Sequence, residues 1–406
     1  MIKKYDCIIA GAGLAGFAAA VGASKAGAKV LLFDRMPGVG GTAVYTITPV
    51  LSGWSNKCIC NNAGLLLADK LKQYNAFDWR GTKIVTDEDS LQRAMTDVLQ
   101  EHNVDILCGA TLCRVERKHD RICSVKLMTS GGLLEFSADN FVDATGDAAL
   151  SLLAGAETIV PAEDESMTKT LMFKVRNVRN FDKEEVVKLF NEHVSEFPVK
   201  IQNAFMGLPL IDKDEVLLNL TAVTGNAADP AELSRMYNEL TLQIAPVMEF
   251  LKKHIPCFAN AVVSKIAPVT GVRYTRSVRG LRTLTMLDIH NPQMPPEPVA
   301  FCGNYIGGHY IKHFSSPWGN EINGNPAVPY GAIRAKGVSN LLTAGRIIDV
   351  EPQIISAVRL AAECLATGQA AGIAAALGVP DYQTLYAELD RQECLEWLKE
   401  MKEKNN

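Results

Sequence analysis

Apolar positions open the chain as two short runs, Tyr5 to Ala10 and Lys29 to Phe33, separated by a cluster of glycines and an alanine-rich stretch to Ala26. Strand, tight turn, helix and strand within about thirty residues predict a βαβ unit with a parallel pair. Leu65 to Leu71 and Leu91 to Leu99 carry apolar residues at helical spacing. After Ile106 the pattern turns to short alternating segments, Thr111 to Glu116, Ile122 to Met128 and Leu133 to Phe136. Asp120 and Ser130-Gly131-Gly132 supply turns between them, so an antiparallel meander is expected inside an α/β protein. Phe141 to Ala144 reads as a return strand.

From about Thr158 to Pro329 the pattern changes to longer polar helices with scattered prolines. Asp229-Pro230 places a capping carboxylate before a proline at the first helical position, and the helix it opens runs toward His254. Extended segments are expected at Leu171 to Val175, Val216 to Val223 and Val262 to Ile266. Asn291 to Pro298, rich in proline, reads as a loop. Leu341 to Ala344 is a buried strand leading into a long apolar helix. These breaks divide the chain into one discontinuous domain, 1–157 with 330–406, and an α+β substrate or cap domain, 158–329.

A length of 406 residues fits about two to three domains. With 41 basic and 45 acidic side chains the formal charge is −4, which offers no broad footprint for nucleic acid or anionic lipid. A small-molecule substrate is the expected partner. The ten cysteines fall mostly in apolar runs rather than at regular loop spacing, as free cytosolic thiols do. Two stretches imitate membrane segments. Cys7 to Ala23 lacks a charged side chain, but its glycines, alanines and preceding Asp6 do not suit an export signal. Ile354 to Leu377 is interrupted by Arg359, Glu363 and Gln369, each costly in a bilayer. A cytoplasmic protein is therefore expected.

The chemistry begins at Gly11-Ala12-Gly13-Leu14-Ala15-Gly16, a G-x-G-x-x-G directly after a strand and before a helix. The first glycine permits the turn, the second lets a pyrophosphate approach the backbone, and the third lets helix and strand pack closely. Asp34 ends the second strand eighteen residues after Gly16, where a carboxylate accepts from a ribose diol and repels a 2′-phosphate. A dinucleotide other than NADP is expected, and no metal site. Thr42 leads to Ala43 rather than to a redox cysteine, and Cys58 and Cys60 read as buried thiols.

Three further segments, Gly38 to Ala43, Asp143-Ala144-Thr145-Gly146-Asp147 and Thr343-Ala344-Gly345-Arg346, complete a set. With them the chain resembles the two-dinucleotide-binding-domain flavoproteins, of the glutathione-reductase type in their FAD half. Val328 to Gly331, Lys336 to Leu342, Cys364 to Gly372 and the upstream Gly271 to Arg276 resemble more closely the FAD-dependent oxidoreductases related to fumarate-reductase-type flavoproteins. Where that family has a Ser-Ala-Thr-His-like run after its Gly-Arg, this chain has Ile347 to Glu351. The resemblance implies FAD as cofactor, in a Rossmann-like domain with an inserted meander. It implies contacts from Gly11, Gly13, Leu14, Ala15, Gly16, Asp34, Arg35, Gly40, Gly41, Thr42, Ala43, Gly146, Asp147, Gly345 and Arg346. If the late helix starts near Ser356, amides at Ala357, Val358 and Arg359 face the flavin, where positive charge favours its anionic reduced form.

Arginines recur at 273, 276, 279 and 282, in the segment that the resemblance places near the flavin. Guanidinium forks suit carboxylates. Arg273 and Arg276 are the expected substrate-orienting pair, while Arg279 and Arg282 fit ordinary structural positions better. His309, in a glycine-permissive loop, is a candidate proton donor. The expected reaction is hydride transfer between flavin N5 and a small polar, anionic substrate. Alternatives are an NAD-dependent dehydrogenase, or a flavin-carrying subunit or binding module of a redox complex. An electron donor or acceptor, which the sequence does not name, and self-association complete the partners; nucleic acid and membrane are not among them.

Overall fold

The computed structural model describes residues 3–54, 61–162, 166–201, 204–212, 214–291, 293–302, 327–396 and 398. Strand Lys3–Ala10, helix Leu14–Lys25 and strand Val30–Phe33 follow the opening apolar pattern, and the strands pair in parallel with Ala10 opposite Phe33. They sit in a seven-stranded sheet. Its order runs from Asp105–Leu107 through Val30–Phe33, Lys3–Ala10 and Gly132–Asp143 to Arg121–Thr129 and Thr111–Lys118, with Leu341–Thr343 also on Gly132–Asp143. The sheet is thus parallel on one side and an antiparallel meander on the other.

One strand makes that change. Leu133 to Phe136 and Phe141 to Ala144, expected as two strands, belong to the single strand Gly132–Asp143. Its first half pairs antiparallel with Arg121–Thr129, and its second half lies parallel to Leu341–Thr343. The residues between, Ser137 to Asn140, look like a polar break in the sequence. They continue the extended backbone, with Ser137 opposite Lys4 and Asn140 opposite Cys7.

The helix Leu14–Lys25 buries every residue from Ala15 to Ala23. The late helix Ala361–Ala376 covers its other side. A Cβ at Gly368 would lie 2.1 Å from the Ala15 carbonyl oxygen, and one at Gly372 1.9 Å from that of Ala19. The two glycines four apart therefore let the helix backbones touch, a packing role. This helix starts at Ala361, not near Ser356, because Pro352–Ala357 forms a 3₁₀ turn first. Among the described residues no helix is long and apolar enough to cross a membrane.

A second sheet, antiparallel, orders Gly207–Pro209, Val216–Leu218, Phe173–Arg176 and Val262–Ile266. Helix Pro230–His254 starts where Asp229 predicts, the carboxylate accepting from the amides of Ala231 and Glu232. Helix Lys183–Glu192, which the apolar spacing did not single out, is capped by Asp182. Phe173, Phe190, Phe197, Phe250 and Phe258 fill the core between sheet and helices. That core draws on residues 171–267, with Ile47 and Val85, whereas Tyr274, Leu284, Ile289, Val299 and Ala300 pack into the core of the first sheet. The second core is thus narrower than the segment 158–329. A buried ion pair joins the two parts, Lys174 Nζ to Glu88 Oε2 at 2.7 Å, with Glu88 opening helix Glu88–Glu101.

Candidate active site

The parallel strands end in line. Ala10 pairs with Phe33 and with Asp143, and Asp143 pairs with Thr343, so the turns after these residues share one edge, where open α/β sheets bind ligands. Gly11 there has φ +97°, and a Cβ on it would stand 2.4 Å from the Ala144 carbonyl oxygen. At Gly16 a Cβ would meet the Gly11 carbonyl at 1.7 Å. Gly13 differs. A Cβ there would find nothing nearer than Gly41 Cα at 3.7 Å, so the groove beside it is open. Gly41, at φ +50°, leaves no room for a side chain against Gly13. The first intrahelical bond runs from Phe17 N–H to the Gly13 carbonyl, and no side chain caps the helix, which leaves its first amides for an anion.

Asp34 accepts from the amide of Ala12 at 2.6 Å through one oxygen and from that of Met36 at 2.8 Å through the other. The carboxylate is fixed between the two turns and remains half-exposed, with lone pairs left for a diol. Arg35 is exposed. Arg346 gathers the other predicted segments. Its guanidinium donates to the Gly146 carbonyl at 2.7 Å, to Thr42 Oγ1 at 3.2 Å and to Asp147 Oδ1 at 3.2 Å. Gly345 lies against Ala15. Asp143 is the buried organiser of its turn, accepting from the amides and hydroxyls of Thr145 and Ser151. Residues scattered over four segments thus meet at one sheet edge. Ala357 and Val358 are buried, and the Val358 amide already bonds the Ile355 carbonyl; the amides without a helical partner are those of Ala361 to Glu363.

The arginine run divides in two. Arg279 Nη1 lies 3.4 Å from Asp349, a fully buried carboxylate that also accepts from the Gly280 amide and Thr283 Oγ1. Arg282 pairs with Asp288 at 2.6 Å. Arg273, only 9% exposed, donates instead to the Thr168 carbonyl at 2.7 Å and to Thr170 Oγ1 at 3.2 Å. Arg276 has its Nε buried with no hydrogen-bond partner. Lys169, 2% exposed, lies between the two threonines that hold Arg273 and donates to Ser166 Oγ. Among the described residues, none of these three cations pairs with a carboxylate. Burial, then the charge of Arg359, lowers Arg273 to about 9; burial, then Arg273, lowers Lys169 to about 8.

Lys169 carries no sequence signal beyond a lone lysine among threonines. Glu363 was equally hidden. It stands in the first turn of the late helix, 1% exposed, with both carboxyl oxygens lacking hydrogen bonds, and burial pushes it up to about 8 against the pull of Arg359. His309, Cys58 and Cys60 lie outside the described residues. The eight described cysteines are free, with Cys113 and Cys123 exposed rather than buried.

The model of a family described as FAD dependent oxidoreductase matches residues 6–398. No curated protein matches in sequence. Among solved structures, a geranylgeranyl bacteriochlorophyll reductase-like protein from Thermoplasma acidophilum is 13% identical at a TM-score of 0.54, covering 99% of this chain and 88% of its own. The flavin-dependent brominase Bmp2 is 13% identical at 0.52, covering 96% and 84%. The anhydrotetracycline hydroxylase OxyS from Streptomyces rimosus is 13% identical at 0.50, covering 98% and 72%. At these identities the likeness is one of fold.

Proposed function

The chain belongs to the FAD-dependent oxidoreductase family, and on that premise we propose that it transfers a hydride between flavin N5 and a small, anionic organic substrate held by Arg273 and Arg276. The groove fits the cofactor: Gly13 faces open space, the first helix presents unbonded amides, and Asp34 is held where a ribose would reach it. In this reading Gly11 to Gly16 and Gly40 to Ala43 carry the pyrophosphate side, Asp34 and Arg35 the adenosine side. Gly146, Asp147, Gly345, Arg346, Arg359 and the amides at Ala361 to Glu363 carry the ribitol and ring side. Bound there, FAD supplies the hydride chemistry; the protein supplies orientation and charge.

The observation that carries the substrate class is the absence, among the described residues, of a carboxylate partner for the two buried cations Lys169 and Arg273 and for Arg276, whose Nε is buried. Removing a charge from water costs several kcal/mol unless something pays it back, and Arg279 and Arg282 in the same run do have acids. An incoming anion would complete Lys169, Arg273 and Arg276. Arg273 is oriented by its two threonine-segment bonds, and Arg276 has donors to spare. Residues 158–329, centred on the four-stranded sheet, then act as the substrate domain.

Steady-state turnover of the FAD-loaded enzyme, once a panel of small acids identifies a substrate, tests the reading. Arg273→Lys and Arg276→Lys should each lower kcat/KM by about ten- to a thousandfold, or about 1.4 to 4 kcal/mol, because lysine lacks the planar fork. Flavin content should be unchanged. Normal turnover in both variants, or loss of FAD in either, would assign the arginines to structure or cofactor binding instead.

A further inference from the structure

The ends of two helices that pack on the second core carry a cluster that the redox reading leaves unused. His193 closes helix Lys183–Glu192, Glu196 ends the 3₁₀ turn that follows, and His254 is the last residue of helix Pro230–His254. His193 Nδ1 lies 3.7 Å from Glu196 Oε1, and His254 Nε2 lies 3.2 Å from Glu196 Oε2. One ligand atom from each of the three falls within 4.8 Å of the other two.

We propose that His193, Glu196 and His254 form a binding site for a zinc(II)-class metal ion. Two imidazoles and a carboxylate are the donors such an ion takes. At metal–ligand distances of about 2.0–2.2 Å, a tetrahedral ion sets neighbouring donors about 3.3–3.5 Å apart. The separations at Glu196 bracket that value. The imidazoles lie face to face, with ring centroids 4.1 Å apart and planes 31° from parallel, so one ring must turn for both nitrogens to converge. His193, at 37% exposure, has the room, while His254, at 8%, is held against Phe250. Water would take the remaining position on the open side.

The setting favours a cation on separate grounds. Both helices end here, and each directs the negative end of its dipole at the cluster. Lys253 Nζ now occupies Glu196 Oε2 at 2.9 Å and would have to yield to the metal. The ion would fasten the ends of two helices that otherwise meet through Phe190, Phe197 and Phe250. Spacing in the sequence conceals the set, because the fold alone brings His254 to His193.

The test uses the FAD-loaded full chain, stripped with chelator and titrated with zinc(II) calorimetrically, then with cobalt(II), whose visible bands report tetrahedral nitrogen and oxygen donors. One ion per chain should bind. His193→Ala and Glu196→Gln should weaken binding at least about a hundredfold, more than the roughly 10- to 100-fold typical of outer-shell partners. Lys253→Met, which removes the competing cation and leaves all ligands in place, should tighten it by roughly two- to fivefold, the scale of one exposed ion pair. Flavin content should stay constant throughout. Absence of saturable zinc binding overturns the site. So does unchanged affinity in the ligand variants, which would place the ion at the cysteine thiols, or an unchanged or weaker affinity in Lys253→Met.

Discussion

Four arginines spaced three residues apart meet two different environments. Arg279 and Arg282 have carboxylates, Asp349 and Asp288, and both acids also hold backbone: Asp349 the Gly280 amide, Asp288 the Thr285 amide in a helix cap. Among the described residues Arg273 and Arg276 have no acid, and Lys169 is a second buried cation, close enough to Arg273 to feel its charge. The first pair closes its own charge and belongs to the architecture. The second pair, on the proposed reading, is completed by an anionic substrate. Identical residues at identical spacing thus separate by the partner that the fold delivers.

The largest contrast should come from removing an acid. Asp349→Ala strips the fully buried carboxylate from Arg279, Gly280 and Thr283 and should cost about 3–5 kcal/mol in denaturant-induced unfolding. A loss below about 1 kcal/mol would show that the first pair is not architectural and erase the distinction. A smaller effect should appear in the pH dependence of anion binding. Lys169 titrates near 8, so affinity for a small carboxylate should be full below that value and fall as pH rises through it, and Lys169→Met should flatten this limb. In the ligand-free protein the sign reverses. Between about pH 8 and the ordinary lysine value of 10.5 the unfolded chain holds the proton that the folded one has lost, so stability rises with pH. An anion affinity that does not change across pH 8 would remove Lys169 from the site. The smallest effect is expected from Arg282→Met, a partly exposed pair worth at most about 1 kcal/mol, with turnover unaltered.

The same division explains what was legible in the sequence. Gly11, Gly13, Gly16 and Asp34 are local to one βαβ unit, so period, turn and spacing reveal them before any tertiary contact is known. The groove around Arg346 was foreshadowed only by the family resemblance, since Thr42, Gly146 and Arg346 meet across some three hundred positions. Polar residues inside Gly132–Asp143 hid a continuous strand, and the Pro352–Ala357 turn displaced the start of the late helix, because both depend on neighbours rather than on local preference. Lys169 and Glu363 were invisible for the same reason. A charged residue's burial is a property of the packed fold, and a lysine between threonines reads as surface until its bridge to Val223 is placed.

On the proposed reading Arg273, Arg276 and Lys169 await an anion while Arg279 and Arg282 do not. Titrating the FAD-loaded enzyme with acetate, propionate and glycolate, and following the flavin absorbance, addresses it directly. Saturable binding is predicted, weakened at least about tenfold in Arg276→Met, an energy of about 1.4 kcal/mol, and unchanged in Arg282→Met. No saturable binding by any of the three, or equal weakening in both variants, would contradict the account.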